Sequence, residues 1–261
     1  MRVLITGGTG SLGRALVRAV AGAGHVARVM SRRERADTAG DGVEWARADI
    51  ATGDGVRAAV EGADAVIHAA TDPRRSEVVD VRGTRHLVEA ARAAGVGHFV
   101  YVSIVGIDRI PLGYYRSKLA AERIVTESGL PHTTLRATQF HPLVAGFISK
   151  AARVPLLLPL PTDFKFQCVA EAEVAARLVG CLDEGPRGRA EHFGGPEVLT
   201  LGEMAVGWME AKGVRKKLVP LPLPGAAAAA FRARKNTAPH GARGSIRWRD
   251  WLADSSTVDE R

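Results

Sequence analysis

Residues 1–14 read Met1-Arg2-Val3-Leu4-Ile5-Thr6-Gly7-Gly8-Thr9-Gly10-Ser11-Leu12-Gly13-Arg14. An apolar run enters a glycine-rich turn, and the residues after it, Arg14 to Ala23, read as a helix. Strand, tight turn and helix start together make an anion site, because the unpaired N–H groups of the first helical turn and the helix dipole face the same point. Gly7 permits the sharp turn, Gly10 allows a pyrophosphate to approach the backbone, and Gly13 allows helix and strand to pack closely. Thr6, Ser11 and Leu12 complete the expected dinucleotide contacts. Spacing alone says little in a chain with 29 glycines; the strand before and the helix after give it meaning.

Working outward, His25 to Met30 reads as a second strand, and its end is informative. Dinucleotide folds place a carboxylate about 20 residues past the turn to hold the ribose 2′-OH of NAD. Here the strand ends on Ser31-Arg32-Arg33. A hydroxyl and two guanidinium groups bind a 2′-phosphate that a carboxylate would repel, so NADP(H) is expected over NAD(H). Thr38 to Gly42 reads as a polar loop. Val43 to Arg47 reads as a short strand leading to Asp49, the expected adenine neighbour, and Ile50, counted among the cofactor contacts, with capping of the segment 53–61 as the alternative for Asp49. Ala63 to Ala70 reads as a central parallel strand. Its small Ala69 and Ala70 leave room for cofactor, and His68 at its end is counted among the cofactor-side residues, though as a packed histidine rather than a catalyst.

A helix is expected from Ser76 to Ala94, a strand from Gly97 to Ser103, a helix from Tyr114 to Ser128 and a strand from His132 to Arg136. This alternation specifies a doubly wound α/β parallel sheet with right-handed crossovers. Residues 1–138 form the expected NADP(H)-binding core. Residues 139–261 are expected to form a small substrate-binding lobe, interleaved with the end of the core sheet in a single structural unit. In that lobe Gln139, Phe140 and His141 are candidate substrate-pocket residues. Thr200 and Glu203 have the spacing of a capping box. Asn236 to Gly244 reads as a mobile loop, and Trp248, Trp251 and Leu252 as an apolar anchor.

Tyr114 and Lys118 stand four apart, on one helix face. A lysine ammonium there would lower the phenol pKa toward neutrality. The phenol would then give its proton to a carbonyl oxygen as a hydride arrives, with Ser103 polarising the same oxygen.

TGGTGSLG, the VIHAA strand, YVS, and Tyr114-Tyr115-Arg116-Ser117-Lys118 followed by SGLPHTTLRATQF resemble the short-chain dehydrogenase/reductase superfamily. They are most similar to its atypical, NmrA-like branch, which includes isoflavone-type and quinone-type reductases and non-enzymatic redox sensors. The resemblance implies a Rossmann fold. It also implies pyrophosphate contacts at Gly7, Gly10 and Gly13, a 2′-phosphate contact at Arg32, an adenine neighbour at Asp49, and a ribose or catalytic lysine at Lys118. The step from Ser103 to Tyr114, 11 residues, is shorter than the superfamily's usual gap. Some atypical members use the lysine as the acid, so either Tyr114 or Lys118 is the proton donor.

The expected function is an NADPH-dependent reductase of a small, mostly apolar carbonyl, quinone or conjugated alkene. The alternatives are an NADP(H)-sensing regulator without turnover and, third, an NAD-dependent sugar-nucleotide epimerase or dehydratase. The net charge of +8 invites a nucleic-acid reading. However, the basic residues are scattered apart from Arg32 to Arg35, Arg215 to Lys217 and the tail from Arg232 to Arg249, and no nucleic-acid-binding motif accompanies them. The expected partner is therefore a small-molecule substrate rather than nucleic acid or membrane. No stretch approaches the roughly 20 apolar residues of a membrane span. The two cysteines, Cys168 and Cys181, give no disulfide framework or metal site. A cytoplasmic protein is the default.

Overall fold

The computed structural model describes residues 1–33 and 42–254. The predicted loop from Thr38 lies outside them, except for its last residue, Gly42. In chain order the elements are β1 (Arg2–Thr6), α1 (Ser11–Gly22), β2 (Val26–Ser31), β3 (Val43–Arg47), α2 (Val56–Val60), β4 (Ala65–His68), α3 (Gly83–Ala93), β5 (His98–Ile104), α4 (Gly113–Glu127) and β6 (His132–Ala137). There follow α5 (His141–Ala151), β7 (Leu157–Leu160), β8 (Lys165–Phe166), α6 (Glu171–Glu184), β9 (Gly188–Arg189), β10 (Phe193–Gly194), β11 (Leu199–Thr200), α7 (Leu201–Ala211), β12 (Lys217–Pro220), α8 (Ala226–Arg232), β13 (Ala242–Arg243) and α9 (Trp248–Ala253). The chain divides into two compact units. The first comprises residues 1–103, 113–136 and 171–191, and the second comprises residues 104–112, 137–170 and 192–261.

The first unit is a parallel sheet in the order β3-β2-β1-β4-β5-β6, with β9 on the β6 edge. Helices flank it: α1 packs on α6, and α3 packs on α2 and α4. β1 and β4 are buried almost throughout, and β5 likewise. Their near-continuous apolar sequences are what a sheet covered on both faces requires. β3, at the edge, is half-buried from Val43 to Ala46 and exposed at Arg47. The sheet order reverses between β1 and β4, and in open α/β sheets ligands bind at the carboxyl ends of the strands at such a point. Leu4, Val66, Leu87, Phe99 and Tyr101 are central to the core beneath it.

The expected helix from Ser76 to Ala94 is not one regular helix. Residues Glu77–Arg82 form a π-helical turn that passes into α3 at Gly83. Single π turns tend to occur at functional sites, and this one carries the buried Asp80.

In the second unit β10 pairs in parallel with β13, Phe193 pairs with Ala137, β8 pairs with β11, and β7 pairs with β12. Its core gathers Val144, Ile148, Leu158, Met204 and Trp208 with the α9 anchor Trp248, Trp251 and Leu252. The Thr200–Glu203 capping box is formed. The loop from Asn236 differs from the sequence expectation. Asn236, Thr237 and Ala238 are buried, and the Asn236 amide donates to the Gln139 side chain at 3.1 Å and to the Lys165 carbonyl at 2.8 Å. Those bonds tie the loop into the unit's interior.

Candidate active site

The glycine turn is built tightly enough to test against a cofactor. Gly7 has φ +70°, and a Cβ there would lie 2.8 Å from the backbone of Ala69 and Ala70 at the end of β4. A Cβ on Gly13 would lie 2.1 Å from the Gly7 carbonyl oxygen. Both positions are therefore closed to any side chain. Gly10 stands in the N-cap position of α1; a Cβ there would meet only the Gly7 oxygen, at 3.3 Å. The first turn of α1 has no side-chain cap and no acidic residue, so Ser11, Leu12 and Gly13 leave it open to an anion. These residues fit a dinucleotide pyrophosphate.

The β4 end is organised by one hydrogen-bonded chain. The Ala70 N–H donates to Thr6 Oγ1 at 3.2 Å, which lies 2.7 Å from His68 Nδ1. On the other side His68 Nε2 lies 2.9 Å from Thr84 Oγ1, and Thr84 donates its proton to the Asp80 carbonyl. Since that proton is spent, Thr84 accepts from Nε2–H, so Nδ1 is the acceptor and takes the Thr6 hydroxyl proton. Burial pushes the His68 pKa down to about 3, with the Lys118 charge adding to it. His68 is therefore a neutral, doubly bonded core residue. This corrects its place on the cofactor side: its ring has no face left for a ligand.

At the end of β2, Arg32 and Arg33 are exposed, and the Arg33 N–H donates to Ser31 Oγ at 3.2 Å. Asp49 does not cap α2, whose N-cap position is Gly55. Its Oδ1 accepts from the Ala51 N–H at 2.8 Å, closing a local turn. Ile50 is buried against Gly83.

The Tyr114–Lys118 pair is arranged differently from its sequence reading. Lys118 is buried, and its ammonium donates to the Val102 carbonyl at 2.9 Å. It stands 3.7 Å from Asp80 Oδ1 and 4.3 Å from the centre of the Tyr101 ring. Burial lowers its pKa to about 8, against the opposing pull of Asp80 and Glu122. The Tyr114 hydroxyl lies 2.8 Å from Thr71 Oγ1, which donates to Asp80 Oδ1 at 2.7 Å. The Tyr114 phenol is pushed up, not down: burial outweighs the Thr71 hydrogen bond, and Asp80 adds to the rise. The expected acidification fails because the ammonium is turned onto Asp80 and Val102, leaving the phenol to Thr71.

Ser103 is buried beside Glu122. Burial raises the Glu122 pKa, but the Arg136 hydrogen bonds together with the Arg136 and Arg189 charges hold it below the usual carboxylate range, while the buried Ser103 hydroxyl has no hydrogen-bond partner among the described residues. Arg136 grips Glu122 with two bonds of 2.7 Å. Thr71, Asp80 and Glu122 are the site residues that the sequence did not single out. In the second unit, Gln139 and His141 are buried at 6% and 1% exposure, and His141 stacks on Trp251 at 5.4 Å. Their side chains are buried in that unit's interior, where His141 lines a small recess with Phe166, Cys168 and Trp248; Phe140 is half-buried. Among the described residues, no helix is long and apolar enough to cross a membrane.

Residues 7–185 match the NAD(P)H-binding family. The chain belongs to that family. Its fold is that of the short-chain dehydrogenase/reductase superfamily. It is 32% identical over 205 residues to a (4-alkanoyl-5-oxo-2,5-dihydrofuran-3-yl)methyl phosphate reductase of Streptomyces griseus, covering 77% of this chain and 70% of that one. Further curated relatives are spanned over about half of their length. A solved nucleoside-diphosphate-sugar epimerase of Staphylococcus aureus superposes with TM-score 0.79 at 17% identity, over 97% of this chain and all of that one. The NADPH complex of the Escherichia coli quinone oxidoreductase superposes with TM-score 0.71 at 21% identity, over 90% and 88%. At those identities the two structures speak for the fold alone.

Proposed function

We propose that this protein is an NADPH-dependent reductase of a small, mostly apolar carbonyl, quinone or conjugated alkene. The observation that carries the reading is the hydrogen-bonded series Tyr114, Thr71, Asp80 and Lys118, which runs from exposed Thr71 and half-buried Tyr114 to the buried Asp80 and Lys118. It lies in the same unit as the glycine cradle, and it ends on a lysine poised near neutrality. Perturbed titratable groups beside a cofactor cradle are the mark of acid–base chemistry, and a protein that only sensed dinucleotides would not need them. The reductase name of the Streptomyces relative supports the same class.

Bound reduced nicotinamide supplies the hydride. Gly7, Gly10 and the first turn of α1 hold the pyrophosphate, while Ser31, Arg32 and Arg33 receive the 2′-phosphate. Asp49 and Ile50 flank the adenine. Ala69 and Ala70 keep the β4 end low enough for cofactor to lie across it. Tyr114 gives the proton to the substrate, and Lys118 supports that transfer from below. Ser103, whose buried hydroxyl makes no hydrogen bond of its own among the described residues, is the group that polarises the acceptor.

The test is twofold. NADPH is expected to bind at least about tenfold more tightly than NADH, a difference of roughly 1.4 kcal/mol, and Arg32→Ala to erase most of it. Oxidation of NADPH is expected with at least one member of a quinone and enone panel. Tight binding without turnover across the panel would favour the regulator. Tighter NADH binding would overturn the role given to Arg32 and favour the epimerase.

A further inference from the structure

The proton inventory of the Tyr114 series is unusually constrained. Thr71 has one hydroxyl proton and gives it to Asp80 Oδ1. It must therefore accept from the Tyr114 O–H, 2.8 Å away. With Asp80 ionised, the phenol proton is committed inward, toward Thr71. The same carboxylate oxygen faces the Lys118 ammonium at 3.7 Å, while Oδ2 is occupied by the Asp72 N–H at 3.2 Å. Hydroxyl and ammonium thus converge on a single oxygen, with Asp80 and Lys118 both almost fully buried and Thr71 at the exposed end of the series.

The geometry points to a proton path through the protein, from Lys118 by way of Asp80 Oδ1 and the Thr71 hydroxyl to Tyr114, in which protonation of Asp80 turns the Tyr114 proton outward to the substrate. The path rests on the reductase reading. When the Lys118 N–H bond breaks and the Asp80 O–H bond forms, Asp80 becomes a donor to Thr71. Thr71 then donates to Tyr114, and the phenol O–H is released from its inward bond. As substrate takes that proton, Thr71 passes its own to the phenolate oxygen and receives the one on Asp80. The net change is one proton from Lys118 to substrate. Lys118 ends as a neutral amine that regains a proton from solvent, and no electrons move along the path. Thr71 is a positioning residue, since it acts through Tyr114.

Among the described residues, the four groups His68, Glu122, Tyr101 and Tyr114 packed around Lys118 stay out of the neutral range. His68 on β4 is neutral down to about pH 3, Glu122 on α4 is held below the usual carboxylate range, and burial raises both Tyr101 on β5 and Tyr114. Lys118, at about 8, is the group that titrates there. Turnover in the reducing direction should therefore fall as pH rises through about 8.

The experiment compares wild type with Thr71→Val, Thr71→Ser and Asp80→Asn, using NADPH and an acceptor that the wild type reduces. Thr71→Val should lower kcat by about 10- to 100-fold while leaving acceptor KM and NADPH affinity in place, and it should lose the alkaline limb near 8. Thr71→Ser should restore both. Independently of turnover, the Lys118 side-chain carbon resonance of the cofactor-free protein should titrate near 8, and lower in Asp80→Asn, which also covers the case of a poorly folding Thr71→Val. A Thr71→Val protein with wild-type kcat and an intact limb overturns the path while leaving the reductase reading standing. A Lys118 resonance indifferent to Asp80→Asn also overturns the path. Absence of turnover in the wild type, with NADPH bound, overturns both.

Discussion

Lys118 and Glu122 stand one turn apart on α4, and each is buried against an opposite charge. Glu122 and Arg136 meet fork to fork, with two bonds of 2.7 Å, and Arg189 adds a third charge at 3.6 Å. Lys118 and Asp80 approach no closer than 3.7 Å, and each spends its stronger hydrogen bond elsewhere, on Val102 and Thr71. The first geometry repays the cost of burial and fixes the carboxylate in its charged form. The second repays it only in part, so the lysine pKa drops to about 8. Equal burial and equal formal charge therefore give a clamp in one place and an adjustable proton site in the other. The difference is the match between guanidinium and carboxylate, which an ammonium lacks.

The clamp breaks most visibly. Arg136→Leu leaves a buried carboxylate without its partner, and a loss of about 3–5 kcal/mol in unfolding free energy is expected in urea titration. On the other pair, Lys118→Met together with Asp80→Asn removes both charges at once. It should cost little stability, yet lower kcat by about 10²- to 10⁴-fold; a double variant that keeps its turnover would make the two pairs equivalent.

The pH dependence of stability sharpens the contrast. Glu122 has a lowered pKa in the folded chain, so its contribution is present above the usual carboxylate pKa and is lost as pH falls through the lowered value. Lys118 also has a lowered pKa, but as a base it costs stability while protonated. That cost is relieved as pH rises from about 8 toward the usual lysine value of 10.5. Thermal melts should show the alkaline relief in wild type and its absence in Lys118→Met. The smallest effect belongs to Arg189→Ala. With 58% of its side chain exposed, this outer arm should contribute no more than about 1 kcal/mol.

The glycine turn is legible in the sequence and the surroundings of Lys118 are not, and the reason is one of distance along the chain. Gly7, Gly10 and Gly13 act on their own strand, turn and helix, so their spacing carries their meaning. The four-residue step from Tyr114 to Lys118 placed both on one helix face, but the inward turn of Lys118 depends on β5, which puts Tyr101 and Val102 beneath it. Thr71 reaches Tyr114 across 43 positions. Nothing in the sequence around Asp80 announces a π turn. The loop at Asn236 differs from its sequence expectation for a related cause: its polar composition points to solvent, while its partners Gln139 and Lys165 lie far upstream.

That π turn has a mechanical consequence. Asp80 is held twice: its carbonyl is bound through Thr84, His68 and Thr6 to the Ala70 amide behind the glycine turn, and its carboxylate faces Thr71 and Lys118. One residue thus serves as the common datum for both ends of the cradle. The Asp80 backbone is tied, through three side chains, to the β4 end beside the glycine turn, while its carboxylate stands over Lys118.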